Sequence, residues 1–139
     1  MTPHVLLVDD DRAALYALTE VLSDLPARLV LAESGEEALR QVLKQEFAVI
    51  LLDVRLPNMD GFEVAAAIRS LQRLRRTPIV FMSANEDRRR KPRPSTLDER
   101  YFRKPLMPDL VRSTVSGYLA RATAGQPQQD VLQDRLAIG

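Results

Sequence analysis

Carboxylate side chains follow two short apolar runs of the sequence with no residue in between. Asp9 and Asp10 come directly after residues 5–8, and Asp53 comes directly after residues 49–52. Runs of four apolar residues that stop at a charge are typical of strands buried on both faces of a parallel sheet. Open α/β sheets bind ligands outside the carboxyl ends of their strands. Acids at two neighbouring strand ends would therefore form an anionic pocket, which attracts a hard divalent cation.

Two further polar groups follow later strand-like segments. The apolar residues 79–82 lead into Ser83, and a later segment ends in Lys104 and Pro105. A hydroxyl and an ammonium group at the same edge as the carboxylates would complete a set of groups suited to phosphoryl chemistry. The sequence therefore predicts a site for this chemistry at the carboxyl ends of successive strands.

Helix signals lie between the strand-like runs. Leucines recur at three- and four-residue spacing after Asp11, which predicts an amphipathic helix with Asp11 as its N-cap. Ser34 and Glu37 form the pattern of a capping box before a second helix. Asp60 and Glu63 begin a third helix in a similar way.

Strand and helix signals alternate along the whole chain. Residues 28–32 predict a second strand, and the apolar spacing after Pro108 predicts a last helix. Alternation of this kind favours a parallel sheet with right-handed crossover connections. The expected fold class is therefore α/β.

Composition narrows the class of protein. A chain of 139 residues, 45% hydrophobic and 28% charged, has the size and composition of one ordinary globular domain. It has no run of about 18 apolar residues and no signal-peptide pattern, so we expect no membrane span. The absence of cysteine excludes disulfides and thiolate metal sites and fits a cytoplasmic protein. The only histidine, His4, cannot build a zinc site, and we interpret it as structural.

Charge is nearly balanced over the whole chain but unevenly distributed along it. The formal net charge is +1, yet residues 69–104 contain 12 basic and 4 acidic residues. We therefore expect a basic flank on an otherwise acidic body.

Four motifs taken together resemble the receiver domain of two-component response regulators, over residues 5 to about 119. They are Leu-Leu-Val-Asp-Asp-Asp at 6–11, Leu-Asp-Val-Arg-Leu-Pro-Asn-Met-Asp-Gly at 52–61, Met-Ser-Ala at 82–84 and Tyr-Phe-Arg-Lys-Pro at 101–105. Each motif alone is a weak signal, but all four in this order form a specific one. The resemblance implies a flavodoxin-like, doubly wound, five-stranded parallel sheet of strand order 2-1-3-4-5, with the acidic cleft at the topological switch point.

The resemblance also implies a role for each residue of the predicted site. Asp53 would be the phosphoacceptor, because a carboxylate can attack phosphorus and form an acyl phosphate. Asp9, Asp10, Asp53 and the backbone carbonyl of Arg55 would bind Mg2+, which relieves repulsion among the carboxylates. Lys104 would supply positive charge to the phosphoryl group. Such a domain catalyses only its own phosphorylation and dephosphorylation.

Ser83 and Tyr101 are the switch residues that the resemblance implies. The Ser83 hydroxyl would contact the phosphoryl group, and Tyr101 would then rotate inward and change the surface of the fourth helix, fifth strand and fifth helix. Alternatively, Tyr101 is an ordinary residue of an amphipathic strand and does not move. The expected partners are a histidine kinase or phosphotransfer protein, and an output domain or dimer partner on that surface. Arg55 and Asn85 would border the path of attacking water.

The segment before the fifth predicted strand departs from the family's pattern. A fourth helix belongs there, but Leu97 is the only large apolar residue and two prolines, Pro92 and Pro94, disfavour a helix. We therefore expect an atypical fourth helix over residues 86–97 that is shortened, displaced or mobile. The basic run Arg88–Arg93 is interpreted as a solvated loop or a docking surface. Without interleaved aromatic residues or a helix-turn-helix pattern, it argues against direct nucleic-acid binding.

The predicted domain organisation is a receiver domain over residues 1–122. Residues 123–139 would form a linker or the start of a C-terminal helix that leads to an absent output domain. Two other functions stay open beside phosphorelay signalling. One is a phosphorylation-independent binding module that acts through the atypical fourth-helix face. The other is a phosphatase of the haloacid-dehalogenase type, which requires an Asp-x-Asp pattern where this chain has Arg55 at the second acid position.

Overall fold

The computed structural model describes residues 2–84 and 99–138, with side chains for all of these except Glu99 and residues 125–138. The strands are β1 (His4–Val8), β2 (Arg28–Ala32), β3 (Val49–Asp53), β4 (Ile79–Ser83) and β5 (Glu99–Arg103). The helices are α1 (Arg12–Leu22), α2 (Gly35–Lys44), α3 (Gly61–Ser70) and α4 (Pro108–Ile138), with a short 3-10 turn at Gln72–Leu74. The predicted fourth helix, Asn85 and the basic run Arg88–Arg93 lie outside the described residues.

All five strands are parallel and form one sheet in the order β2-β1-β3-β4-β5. This confirms the predicted flavodoxin-like topology. The chain reverses its direction of winding between β1 and β3, which are neighbours at the centre of the sheet. Ligands bind at such a switch point in doubly wound sheets, because the loops that follow the two strands diverge there.

Both faces of the sheet are buried under helices. Alternate residues of β1 and β3, such as Leu6 and Leu52, pack with side chains of α2 and α3. The intervening residues, such as Leu7 and Leu51, pack with side chains of α1 and α4. Because side chains alternate between the two faces of a strand, strands covered on both sides become continuous apolar runs.

Acidic side chains cap two of the helices as predicted. The Asp11 carboxylate accepts a hydrogen bond from the Ala13 N–H at 2.9 Å and caps α1. At the start of α3, the Asp60 carboxylate accepts from the Glu63 N–H, and the Glu63 carboxylate accepts from the Asp60 N–H. These bonds satisfy amide groups that have no partner within the helix. They fix where each helix leaves the edge of the sheet.

The cap of α2 differs in one bond from the predicted capping box. The Ser34 hydroxyl accepts from the Glu37 N–H at 3.1 Å, as expected. The Glu37 carboxylate accepts from the N–H of Glu33 instead of that of Ser34, at 3.2 Å. A glutamate side chain is long enough to reach the residue before the cap, so the reciprocal bond shifts by one position.

Helix α4 continues beyond the residue at which we place the end of the domain. Among the α4 side chains that the structure describes, those up to residue 124, the buried ones all lie before residue 120: Val111, Val115, Tyr118 and Leu119. The backbone stays helical to Ile138, so that α4 includes most of residues 123–139, for which the sequence predicted either a linker or the start of a helix. The domain boundary at residue 122 stays a prediction.

Within the described ranges, no helix combines the length and the apolar character needed to cross a membrane.

Candidate functional site

Three carboxylates converge at the carboxyl edge of the sheet. Asp9 follows β1 and Asp53 ends β3, and these two strands are neighbours. Both side chains are buried, with 1% and 5% of the residue exposed, whereas Asp10 is exposed. One carboxylate oxygen from each of the three residues lies within 4.8 Å of the others. Hard oxygen donors at this spacing could hold a divalent cation.

Lys104 brings a positive charge to the two buried carboxylates. Its Nζ donates to Asp53 Oδ2 at 2.8 Å and to Asp9 Oδ2 at 3.2 Å. The residue follows β5, and its backbone N–H donates to the Ser83 carbonyl at 2.8 Å. The peptide bond between Lys104 and Pro105 is cis. A residue far along the chain thus completes the site.

Backbone amides hold the other oxygen of each buried carboxylate. Asp9 Oδ1 accepts from the Asp11 N–H at 2.9 Å, and Asp53 Oδ1 accepts from the Arg55 N–H at 2.9 Å. Each carboxylate is therefore oriented by one main-chain bond and one bond to Lys104. Because a carboxylate oxygen can accept two hydrogen bonds or a metal, lone pairs remain for a ligand.

The electrostatics of the site reflect burial and crowding. Burial raises the pKa of Asp9 above its ordinary value of 3.8, and the negative charge of Asp53 acts in the same direction. The Asp11 amide and the Lys104 ammonium oppose this rise. Burial lowers the pKa of Lys104, but the hydrogen bonds and charges of Asp53 and Asp9 outweigh it and raise the pKa above 10.5. Lys104 is therefore an ammonium at neutral pH, and burial shifts the titration of Asp9 toward higher pH.

The loop after Asp53 is closely packed against the start of α3. The Gly61 N–H donates to the Val54 carbonyl at 2.8 Å. A Cβ atom at position 61 would overlap the Asp53 carbonyl oxygen and lie 2.9 Å from the Val54 Cα. Within the same loop, Asn58 has a φ of 68°, in the left-handed region that asparagine tolerates better than most residues. Glycine at 61 lets the helix approach the backbone of the proposed acceptor.

Ser83 lies at the edge of the site. It is 6% exposed and ends β4, and its hydroxyl donates to the Ala84 carbonyl at 3.1 Å. Its own carbonyl accepts from the Lys104 backbone. Ser83 is therefore close in the fold to the loop that carries the ammonium group, and its hydroxyl is bonded only to a neighbour in sequence among the described residues.

Tyr101 packs in an aromatic stack that sequence reasoning missed. Its half-buried ring stacks on Phe81 with centroids 5.0 Å apart and an interplanar angle of 21°. Phe62 lies 5.1 Å from Phe81 and 6.4 Å from Tyr101. The three rings connect α3, β4 and β5. No local spacing indicates a contact among three separate elements, so only the fold reveals it.

Four of the predicted site residues have side chains that meet in the structure: Asp9, Asp10, Asp53 and Lys104. Arg55 contributes its backbone N–H to Asp53. Ser83 joins through the backbone of β4, and Tyr101 lies in the aromatic stack. Asn85 lies outside the described residues.

Comparison with known proteins identifies the family. The family model for the response regulator receiver domain matches residues 5–115 of the chain. The chain belongs to this family. The match includes all five strands apart from His4 and extends into α4, and it includes every residue of the acidic site.

Individual relatives of the receiver domain come from two kinds of protein. The sensor protein GacS of Pseudomonas syringae pv. syringae is 32% identical over 139 aligned positions, which cover 94% of this chain and 15% of GacS. The alkaline phosphatase synthesis transcriptional regulatory protein PhoP of Bacillus subtilis is 29% identical over 137 positions, which cover 98% of this chain and 56% of PhoP. The chain thus spans less than two thirds of either relative.

A solved structure supports the same fold. The chemotaxis response regulator CheY4 of Vibrio cholerae superposes with a TM-score of 0.73 at 27% identity, over 85% of this chain and 99% of that one. The family and its relatives support a role in phosphorelay signalling. The receiver fold is that of a signalling domain.

Proposed function

We propose that this receiver domain accepts a phosphoryl group on Asp53 from a histidine kinase or a phosphotransfer protein. The observation that supports this most strongly is the Lys104 ammonium, 2.8 Å from one oxygen of Asp53. A phosphoryl group on that carboxylate would lie within reach of the ammonium, which would compensate its added charge. A solvated acidic cluster with no acceptor role would have no need of a converging lysine from a distant strand.

The proposed reaction transfers a group between two side chains. An Asp53 oxygen attacks phosphorus while the phosphorus–nitrogen bond of the donor phosphohistidine breaks, which leaves an acyl phosphate on Asp53. The backbone N–H of Arg55 holds the second Asp53 oxygen in place and so orients the carboxylate. Later attack by water on phosphorus breaks the bond between phosphorus and the Asp53 oxygen, which releases inorganic phosphate and restores the carboxylate. The domain would act only on itself and would turn over no external metabolite.

Mg2+ is the cation that we assign to this site. Asp9, Asp10, Asp53 and the Arg55 backbone carbonyl would hold it, and the oxygen-only donors within 4.8 Å fit a hard divalent cation. When bound, the cation neutralises the carboxylates and charge on the phosphoryl oxygens. The burial of Asp9 and Asp53 supports this assignment, because two buried carboxylates and a third beside them carry more negative charge than one ammonium compensates.

Ser83 and Tyr101 would convert phosphorylation into altered partner binding in the cytoplasm. The Ser83 hydroxyl could exchange its bond to the Ala84 carbonyl for one to the phosphoryl group. Tyr101 would respond through the ring stack with Phe81 and Phe62. The affected surface would include β5 and α4, which corresponds to the predicted fifth helix. An output domain or a second receiver would dock there.

Intact-protein mass spectrometry with acetyl phosphate tests the acceptor. We expect a single adduct of about 80 Da, one phosphoryl group, that requires Mg2+ and is absent in Asp53→Asn. Asp24→Asn is the matched control, because Asp24 is an exposed carboxylate at the far end of α1, paired with Arg112. It should phosphorylate normally. An adduct that persists in Asp53→Asn would assign the phosphoryl group to another residue. If neither acetyl phosphate nor beryllofluoride binds, the phosphorylation-independent binding module becomes the better account.

A further inference from the structure

Four exposed basic side chains lie at the amino edge of the sheet, opposite the acidic site: Lys44, Arg73, Arg75 and Arg76. Lys44 ends α2, and the arginines follow α3 in the turn that leads to β4. Helices that connect parallel strands return the chain to the edge where the next strand begins, so both helices end at this edge. Together with Leu43, the four residues form a surface that we name the basic surface. Its arginines belong to the basic flank predicted over residues 69–104, and the proposed function makes no use of them.

Two hydrogen-bonded arginines hold the ends of α2 and α3 together. The Nη2 group of Arg73 donates to the Val42 carbonyl, in the last turn of α2, at 2.7 Å. The Nη1 group of Arg69 donates at 2.6–3.0 Å to three carbonyls of the turn after α3, those of Leu74, Arg75 and Thr77. The backbone of the basic surface is therefore held in place before a partner binds, which lowers the entropy cost of docking.

Contacts within the chain explain Arg73 but not Arg75 and Arg76. Arg73 satisfies a carbonyl at the C-terminal end of a helix, where partners within the helix are lacking. No hydrogen bond or ion pair joins the side chain of Arg75 or Arg76 to another residue that the structure describes. Residues 64–85 also contain no acidic residue. The guanidinium groups of Arg75 and Arg76 therefore keep their donors for a partner.

An apolar side chain lies beside these charges. Leu43 is 62% exposed, whereas Val42 before it is fully buried. Protein interfaces combine apolar contact with a polar, charged rim. Surfaces that bind single-stranded nucleic acid instead combine basic groups with aromatic rings that stack on bases, and none of the five residues of the basic surface is aromatic. The combination favours a protein partner.

We propose that the basic surface docks a carboxylate-rich segment of a partner protein, with one apolar side chain of that segment against Leu43. Guanidinium groups bind carboxylates through paired hydrogen bonds, and the ammonium group of Lys44 adds a point charge. Complementary charge steers the segment to this end of the molecule, and the apolar contact fixes its register. The surface is separate from Asp53, and docking does not depend on phosphorylation there.

Amide NMR with a synthetic acidic peptide tests the proposal. The 15N-labelled full chain is titrated at constant ionic strength with a blocked octapeptide that contains seven glutamates and one leucine near its centre. The amides of Lys44 and Arg76 report on the basic surface, and the amide of Gly61 reports on the acidic site. We expect saturable shifts at Lys44 and Arg76 and none at Gly61.

Two double variants of equal charge separate the basic surface from the net charge of the chain. Arg75→Ala combined with Arg76→Ala should weaken peptide binding about tenfold, because two exposed ion pairs are lost. Arg12→Ala combined with Arg103→Ala removes the same charge from exposed side chains at the carboxyl edge and should leave the affinity unchanged.

A second peptide, in which serine replaces the leucine, tests the apolar contact. The parent chain should bind it more weakly than the leucine peptide, whereas Leu43→Ala should bind the two peptides equally. Three results would overturn the proposal: shifts that grow linearly without saturation, an equal loss of affinity in the two double variants, or equal affinity of the parent chain for the two peptides. Tighter binding of a single-stranded DNA oligonucleotide of the same charge would also overturn it, because nucleic acid would then be the better occupant.

Discussion

At the scale of single residues, Lys104 holds the acidic site together. Its ammonium lies between Asp9 and Asp53, whose negative charges would otherwise face each other in a buried pocket. Both pKa values are raised, for different reasons: burial favours the neutral form of Asp9, while the two carboxylates favour the charged form of Lys104. The lysine thus allows the cluster to exist before any cation or phosphoryl group arrives.

Replacement of Lys104 by alanine should lower the free energy of unfolding in metal-free buffer. We expect Lys104→Ala to cost about 1–2 kcal/mol of unfolding free energy, less than the loss of a fully buried ion-pair partner, because water screens a partly exposed ammonium. The Lys104 side chain is 32% exposed. Urea denaturation in metal-free buffer measures the change, and added Mg2+ should restore much of it. Lys44→Ala, at the exposed end of α2, is the control; an equal loss there would refute the pairing.

The pH dependence of stability should report on Asp9. Folded Asp9 binds a proton more readily than unfolded Asp9, so its contribution to stability is present below pH 3.8 and is lost as pH rises through the raised folded pKa. Asp9→Asn cannot ionise, and we expect it to melt at a higher temperature than the parent chain above that pKa in metal-free buffer. The difference should vanish in acid. A variant less stable at neutral pH would contradict this sign, and thermal melts across pH measure it.

The structural role of a residue could be predicted from the sequence where it depends on hydrogen bonds to residues nearby in the chain. Asp11 and Asp60 lie before helical patterns, and their caps follow from local hydrogen bonding. Lys104 and Asp9 are 95 positions apart, so their contact depends on which strands are adjacent. Alternation along the chain establishes a parallel sheet but not its strand order. The order came from resemblance to a family, and the structure confirms it.

At the scale of elements, two glycines in helices should respond in opposite ways to the same substitution. Gly61→Ala places a methyl group against the backbone of Asp53 and Val54 and should cost about 1–3 kcal/mol. Gly117→Ala meets open space and should gain up to about 1 kcal/mol from helix propensity. Urea titration of both variants measures the contrast. If both variants lose stability equally, close packing at position 61 is not the cause.

The aromatic stack shows what local patterns cannot indicate. The spacing in α3 predicts Val64 and Ile68 as inward residues, and both are buried. It does not indicate that Phe62, at the start of the helix, approaches Phe81 and Tyr101. Such contacts depend on how a helix is placed over two strands. The ring of Tyr101, the proposed switch residue, therefore lies in an aromatic cluster with Phe81 and Phe62.

At the scale of the whole molecule, two hydrophobic clusters stabilise one sheet from opposite faces. Leu51 and Leu52 are both fully buried but belong to different clusters. Substitution of either leucine by alanine should lower the free energy of unfolding by about 2–5 kcal/mol, a large part of the roughly 5–15 kcal/mol typical of a domain. Because the sheet is shared, both should shift one cooperative transition with an unchanged denaturant slope. Leu43→Ala, which is 62% exposed, should change little. Separate transitions in the two variants would mean that the faces unfold independently.

The last main-chain bond between β3 and β4 has a mechanical consequence for signalling. The Val54 N–H donates to the Met82 carbonyl at 3.0 Å, so pairing continues one residue past Asp53. The backbone on both sides of Asp53, the proposed acceptor, is therefore held by hydrogen bonds to β4. If Asp53 is phosphorylated as proposed, we expect its own strand to shift little. Lys104, which is bonded to both Asp53 and the Ser83 carbonyl, would then carry the displacement to the ends of β4 and β5.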